Sequence, residues 1–225
     1  MFKERNNVAF IVAVAAVAVV SVIICVCAFA CSGGTVTFKC TFYFICYRSP
    51  DNAVSASSLS QTVGSYGGAG YILNYDGDYF VTVACYYDSN DANTVCANLK
   101  KRDLNCSVVE IKTDKYTLPS RSAKNKAELY SGNLKTLSEL SSLAYECANR
   151  LDTGEYNQGK AKDVIGAIKS GLNGLLKANS DNCFTRSLEY LIAECDDKSG
   201  GYIFSKDIRY LQIAIADKII SAKLE

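Results

Sequence analysis

Val81-Thr82-Val83-Ala84-Cys85-Tyr86 is the stretch on which the reading of this 225-residue chain turns. Apolar residues alternate there with small or polar ones, the pattern of a half-buried strand. Upstream, Gly67-Gly68-Ala69-Gly70 marks a bend and Tyr71-Ile72-Leu73 a shorter strand. Asp76-Gly77 then marks a hairpin turn, because glycine accepts the positive φ that such turns require. Downstream, Ala92, Val95, Cys96 and Leu99 fall at i, i+3, i+4 and i+7, one face of a helix.

This block has a counterpart nearer the N-terminus. Phe42-Tyr43-Phe44-Ile45-Cys46-Tyr47 with Ala53 aligns on residues 81–86 with Ala92, 39 positions later (42 to 81). Each copy continues as helix and then strand, so the spacing points to an internal duplication. The implied order is βαββαβ, the ferredoxin-like arrangement, which makes the chain an α+β protein. Strands 42–47 and 81–86 are then expected side by side at the centre of a four-stranded sheet, parallel to one another. Ser49-Pro50-Asp51 and Ser89-Asn90-Asp91 are the two helix starts. The first helix, with Ala53, Ala56, Leu59 and Val63 inward, is serine-rich and expected to pack weakly.

Residues 8–30 form an apolar run interrupted only by Ser21. At 1.5 Å per residue it reaches roughly 34 Å, enough for a tilted membrane-spanning helix. Lys3 and Arg5 precede it, whereas Lys39 is the first basic residue beyond it. The positive-inside rule therefore keeps the N-terminus cytoplasmic and exports the rest, giving a single-pass protein of the cell membrane. Ala28-Phe29-Ala30 is an A-x-A site and Cys31 a lipidation candidate, so cleavage and lipidation stay open beside the uncleaved anchor.

Formal net charge is +1, and no basic stripe interleaved with aromatics stands out, which excludes nucleic acid as the expected partner. Histidine and tryptophan are both absent. The commonest general base and zinc ligand is thus missing, and no H-E-x-x-H or G-x-S-x-G occurs, so neither catalytic residues, nor metal, nor cofactor are expected. The 11 cysteines include no C-x-x-C pair and read as buried small hydrophobes or as disulfides of an exported domain.

Beyond residues 113–122, read as a linker around Pro119, the period becomes helical throughout. One stripe runs through Tyr130, Leu134, Leu137, Ala144, Cys147 and Leu151, ending at Gly154. A second carries Ala161, Val164, Ile165, Ile168, Leu172, Leu175 and Leu176; a third, Leu188, Leu191, Ile192 and Cys195. The fourth starts near Ser205 and carries Ile208, Leu211, Ile215 and Ile219. Short loops between four amphipathic helices read as an antiparallel bundle over residues 123–225. The expected organisation is a cytoplasmic stub and anchor (1–31), a sheet domain (35–112), the linker and the bundle.

Val81-x-Val83-Ala84-x-Tyr86 with Ala92 and Leu99, and the Gly67-Gly68-Ala69-Gly70-Tyr71-Ile72 stretch before an Asp-Gly turn, resemble the SPOR domain, the sporulation-related peptidoglycan-binding module. The resemblance covers about residues 37–112. It implies a ferredoxin-like domain whose open sheet face lies along peptidoglycan glycan strands in cell division or sporulation. With Val81 and Val83 toward the two helices, Thr82 and Ala84 would line that face, and Tyr43 and Ile45 are their upstream equivalents. Tyr43, Tyr71 and Tyr79 would offer aromatic surface to sugar rings. The family often carries glutamine where Tyr43 stands and glycine where Ile45 and Ala84 stand.

Two functional classes follow. One is a membrane-anchored, non-catalytic envelope protein that binds peptidoglycan glycan through the sheet face. The other is a protein-interaction adaptor, in which residues 123–225 hold an envelope partner beside a degenerate SPOR-like domain. Strand order 4-1-3-2 also brings the end of the first strand to the start of the last, making Cys46 and Cys106 the expected disulfide pair.

Overall fold

In a computed structural model, residues 35–49, 53–102, 104–117, 123–179 and 183–222 are described. The apolar run 8–30 lies outside the described residues, as do Cys31 and Pro119. Among the described residues, no helix is long and apolar enough to cross a membrane.

Among the described residues the chain is α+β, with a four-stranded antiparallel sheet and six helices, four of them following the last strand. Strand β1 spans Thr35–Ser49, helix α1 Ala53–Ser65, β2 Tyr71–Tyr75, β3 Asp78–Tyr86, α2 Ser89–Lys100 and β4 Ser107–Thr117. Helices α3 (Ala123–Asp152), α4 (Gln158–Ala178), α5 (Cys183–Ser199) and α6 (Ser205–Ile220) follow. β4 therefore runs five residues into the expected linker.

The sheet order is β2-β3-β1-β4. β1 and β3 are the central neighbours, but they are antiparallel rather than parallel. The hairpin makes β3 antiparallel to β2. A helical crossover leaves β1 and β2 pointing the same way, so the strand inserted between them opposes both. Asp76 and Gly77, at φ 54° and 83°, form the hairpin turn that their residue types predict.

Two bulges shape the sheet. Ile45 pairs with Ala84 but Cys46 with Thr82, leaving Val83 as an extra residue on β3. On β1, Thr37 pairs with Lys115 and Cys40 with Thr113, so two residues oppose one. The Thr113 hydroxyl fills that second bulge, accepting from the Cys40 amide at 3.0 Å and donating to the Phe38 carbonyl at 2.9 Å.

Both sheet faces are covered. On one, Val81 packs with Ala56 and Val63 of α1, while Ile45, Ala84 and Tyr86 pack with Ala92 and Cys96 of α2. Ala53, expected inward, is exposed. On the other face, Phe38, Phe42, Phe44, Cys46, Leu73, Cys85 and Ile111 share one core with Leu134 and Leu137 of α3 and Ile208, Leu211 and Ile215 of α6. The sheet and the bundle are joined by a common core, where separate units had been expected.

Helix α6 explains why. Its stripe includes Ile208, Leu211, Ile215 and Ile219, but Gln212, Ile213, Ala214 and Ala216 are buried as well. A helix apolar around most of its circumference is an interior layer. Polar anchors fix it to the sheet. The Tyr71 hydroxyl donates to Asp217 at 2.7 Å, the Tyr116 hydroxyl to the Ile219 carbonyl at 2.8 Å, and the Gln212 amide to the Cys85 carbonyl at 3.1 Å.

Candidate functional site

The residues assigned to an open glycan face are not on one. Thr82 is 0% exposed, and its hydroxyl donates to the Tyr71 carbonyl at 2.9 Å. Tyr71 is 6% exposed and packs edge-on against Tyr210 of α6, with ring centroids 5.1 Å apart. Burial, with the Asp217 carboxylate beside it, pushes the Tyr71 phenol well above its ordinary pKa. Ile45 and Ala84 are buried on the α2 side, not opposite it. Tyr43 and Tyr79 are half-buried and also lie with the α1–α2 side, Tyr43 hydrogen-bonded to Glu110.

For Tyr43, Ile45 and Ala84 the cause is the bulge at Val83. Upstream of it, Val81 faces α1 whereas its counterpart Phe42 faces the bundle; downstream, Cys85 and Cys46 both face the bundle. An extra residue reverses the alternation, so one motif presents opposite faces in its first half.

Cys106 contacts a sulfur other than the one expected. Cys46 pairs with Ser107 in the β1–β4 ladder and packs in the sheet–bundle core, whereas Cys106 packs with α2. The sulfur next to Cys106 is that of Cys96, 3.5 Å away. Burial, then the contact with Cys96, push the Cys106 thiol up to about 11.

With the sheet closed, a cleft of about 1050 Å³ with mixed polar and apolar walls lies between the bulged part of β1–β4 and the C-terminal half of α3. Lys39, Thr41, Lys112 and Asp114 line it from the strands, Tyr87 and Asp88 from the β3–α2 connection, Asp91 from the first turn of α2, and Tyr145, Glu146, Asn149 and Arg150 from α3. Tyr145 stands edge-on to Tyr87, centroids 5.4 Å apart, and the Tyr87 hydroxyl bonds the Ser141 hydroxyl at 2.7 Å. Two aromatic rings are thereby fixed at the wall.

Most of the charge is internally matched. Arg150 pairs with Glu146 at 2.6 Å and lies 5.2 Å over the Tyr156 ring, and Lys112 pairs with Glu110 at 3.0 Å. Asp88 caps α2, accepting from the amides of Asn90 and Asp91 at 2.7 and 3.1 Å. Such a cleft suits a neutral, hydroxyl-rich or amide-rich ligand better than a highly charged one. Among the described residues, no cluster of histidine, cysteine or carboxylate side chains has metal-binding geometry.

The α3 lining was missed in the sequence because Tyr145, Asn149 and Arg150 flank the apolar stripe and read as an ordinary solvated face. The usable signal was length: α3, at 30 residues, is the longest helix among the described residues. Comparison with protein-family profiles, curated proteins and solved structures yields no match to this chain.

Proposed function

We propose that this is a membrane-anchored, non-catalytic cell-envelope protein that works as a protein-interaction adaptor. In this reading residues 35–117 are a ferredoxin-like, degenerate SPOR-like unit, anchored through residues 8–30 and held on the extracytoplasmic side. The observation that carries the proposal is that both sheet faces are closed, one by α1 and α2 and the other by α3 and α6. A glycan strand laid along the sheet would have to displace buried aromatic side chains. The partner-binding surface then falls to the outside of the helical layer and the cleft beside it.

A second reading keeps peptidoglycan glycan as the ligand and moves it from the sheet to the cleft. Tyr87 and Tyr145 supply the aromatic surface, while Asn149 and Thr41 supply neutral hydrogen-bonding groups. Co-sedimentation with amidase-treated wall sacculi separates the two. The adaptor reading expects no more pelleting than an unrelated protein gives. Pelleting that Tyr145→Ala abolishes would favour the cleft, and pelleting insensitive to it would contradict both readings.

A further inference from the structure

The Cys96–Cys106 pair combines proximity, burial and a fixed connection. Cys96 lies one helical turn after Ala92 on the buried side of α2, and Cys106 immediately precedes β4. Between them the chain is turned back by one carbonyl: Leu99 O accepts from the Arg102 amide at 2.9 Å and the Leu104 amide at 3.2 Å. The Cys106 amide then donates to the Leu104 carbonyl at 3.0 Å. This fold-back brings the sulfurs to 3.5 Å, with the two residues 4% and 3% exposed. A disulfide bond measures about 2.05 Å, so closure requires the sulfurs to approach by roughly 1.5 Å.

We propose that Cys96 and Cys106 are a modification site, oxidised to an intramolecular disulfide by exchange with an external disulfide, either an oxidised dithiol protein or oxidised glutathione. One cysteine thiolate attacks the external disulfide, forming a mixed disulfide and releasing one thiolate. The second cysteine thiolate attacks the protein sulfur of that mixed bond and expels the other thiolate. Two cysteine thiols are oxidised, one external disulfide is reduced, and both cysteine protons end on the released thiols. The product staples α2 to the start of β4 without drawing on Cys46.

The basic residues Lys100, Lys101 and Arg102 lie between the two cysteines, so trypsin cuts inside the loop that the bond would close. Full-length protein in detergent is incubated with oxidised glutathione, alkylated, and digested with trypsin and chymotrypsin. The second protease cuts at Tyr86 and Tyr87 and separates Cys85 from Cys96. The expected result is a Cys96 peptide joined to a Cys106 peptide, separating on reduction, with two alkylatable thiols lost per chain. The oxidised protein should melt about 5–10 °C above the reduced one. Cys106→Ala should leave Cys96 alkylated or glutathionylated and remove the shift. Recovery of both cysteines alkylated in the wild type, a glutathione adduct that never resolves, or a bond from either to Cys46 would overturn the proposal.

Discussion

The two faces of the sheet are closed by different means. Toward α1 and α2 small residues, Ala56, Ala84, Ala92 and Cys96, meet Ile45, Val63, Val81 and Tyr86, under helices of 13 and 12 residues. Toward α3 and α6 it is made by Phe38, Phe42 and Phe44, each 0% exposed, under a 30-residue helix and one buried on most sides. Apolar burial scales with area, so the second face carries the larger share of the stabilisation. An amphipathic helix can end a layered structure, whereas a helix like α6 has to be enclosed. The face expected to meet sugar is the more deeply buried one.

Substitution on the two faces sharpens this contrast. Phe42→Ala should cost about 3–5 kcal/mol, the range for truncating a buried aromatic ring. Val63→Ala on α1, 5% exposed, should cost about 1–2 kcal/mol. Equal losses in denaturant titrations would remove the difference between the faces.

The polar anchors of α6 come next. Tyr71→Phe deletes the donor to Asp217 and should cost about 1.5–3 kcal/mol, as expected for a hydrogen bond to a charged group. Tyr116→Phe, whose acceptor is the Ile219 carbonyl, should cost about 1 kcal/mol. A neutral Tyr71→Phe would show that α6 is held by apolar packing alone.

How much of this was legible follows the chemistry. The hairpin at Asp76-Gly77, the buried stripe of α2 and all four C-terminal helices are written in local patterns, and each occurs where its pattern lies. The facing of Ala84 and Tyr43 was not legible, because the bulge at Val83 depends on pairing with a strand some 40 positions away. The closure of the sheet was half legible. Ile213-Ala214-Ile215-Ala216 is an unbroken apolar run, but a single-stripe reading uses only Ile215 from it. The Cys96–Cys106 contact depends on the hydrogen-bonded fold-back at Leu99, which no periodicity records.

The smallest expected effect lies at the rim of the helical layer. Burial works to raise the Asp152 pKa, but hydrogen bonds from Arg209 and Ser205 outweigh it and hold the carboxyl below its ordinary range. A depressed carboxylate contributes fully above its unfolded pKa, near 4, and loses that contribution as pH falls through the lower folded value. Arg209→Ala should therefore cost a small amount of stability at pH 7, and that deficit should fade as pH falls below about 4, leaving a shallower acid limb. A loss that persists undiminished at low pH would mean that Arg209 acts through packing, not charge.

The central claim is that the sheet and the helical layer share one core, and a fragment of residues 35–117 tests it most directly. Cut free of α3 and α6, it exposes Phe38, Phe42, Phe44, Leu73 and Ile111 together. In thermal unfolding followed by near-ultraviolet circular dichroism, the account predicts no cooperative transition for this fragment and a single one for residues 35–225. A monomeric 35–117 fragment that melts cooperatively, with the aromatic signal of the longer chain, would contradict it.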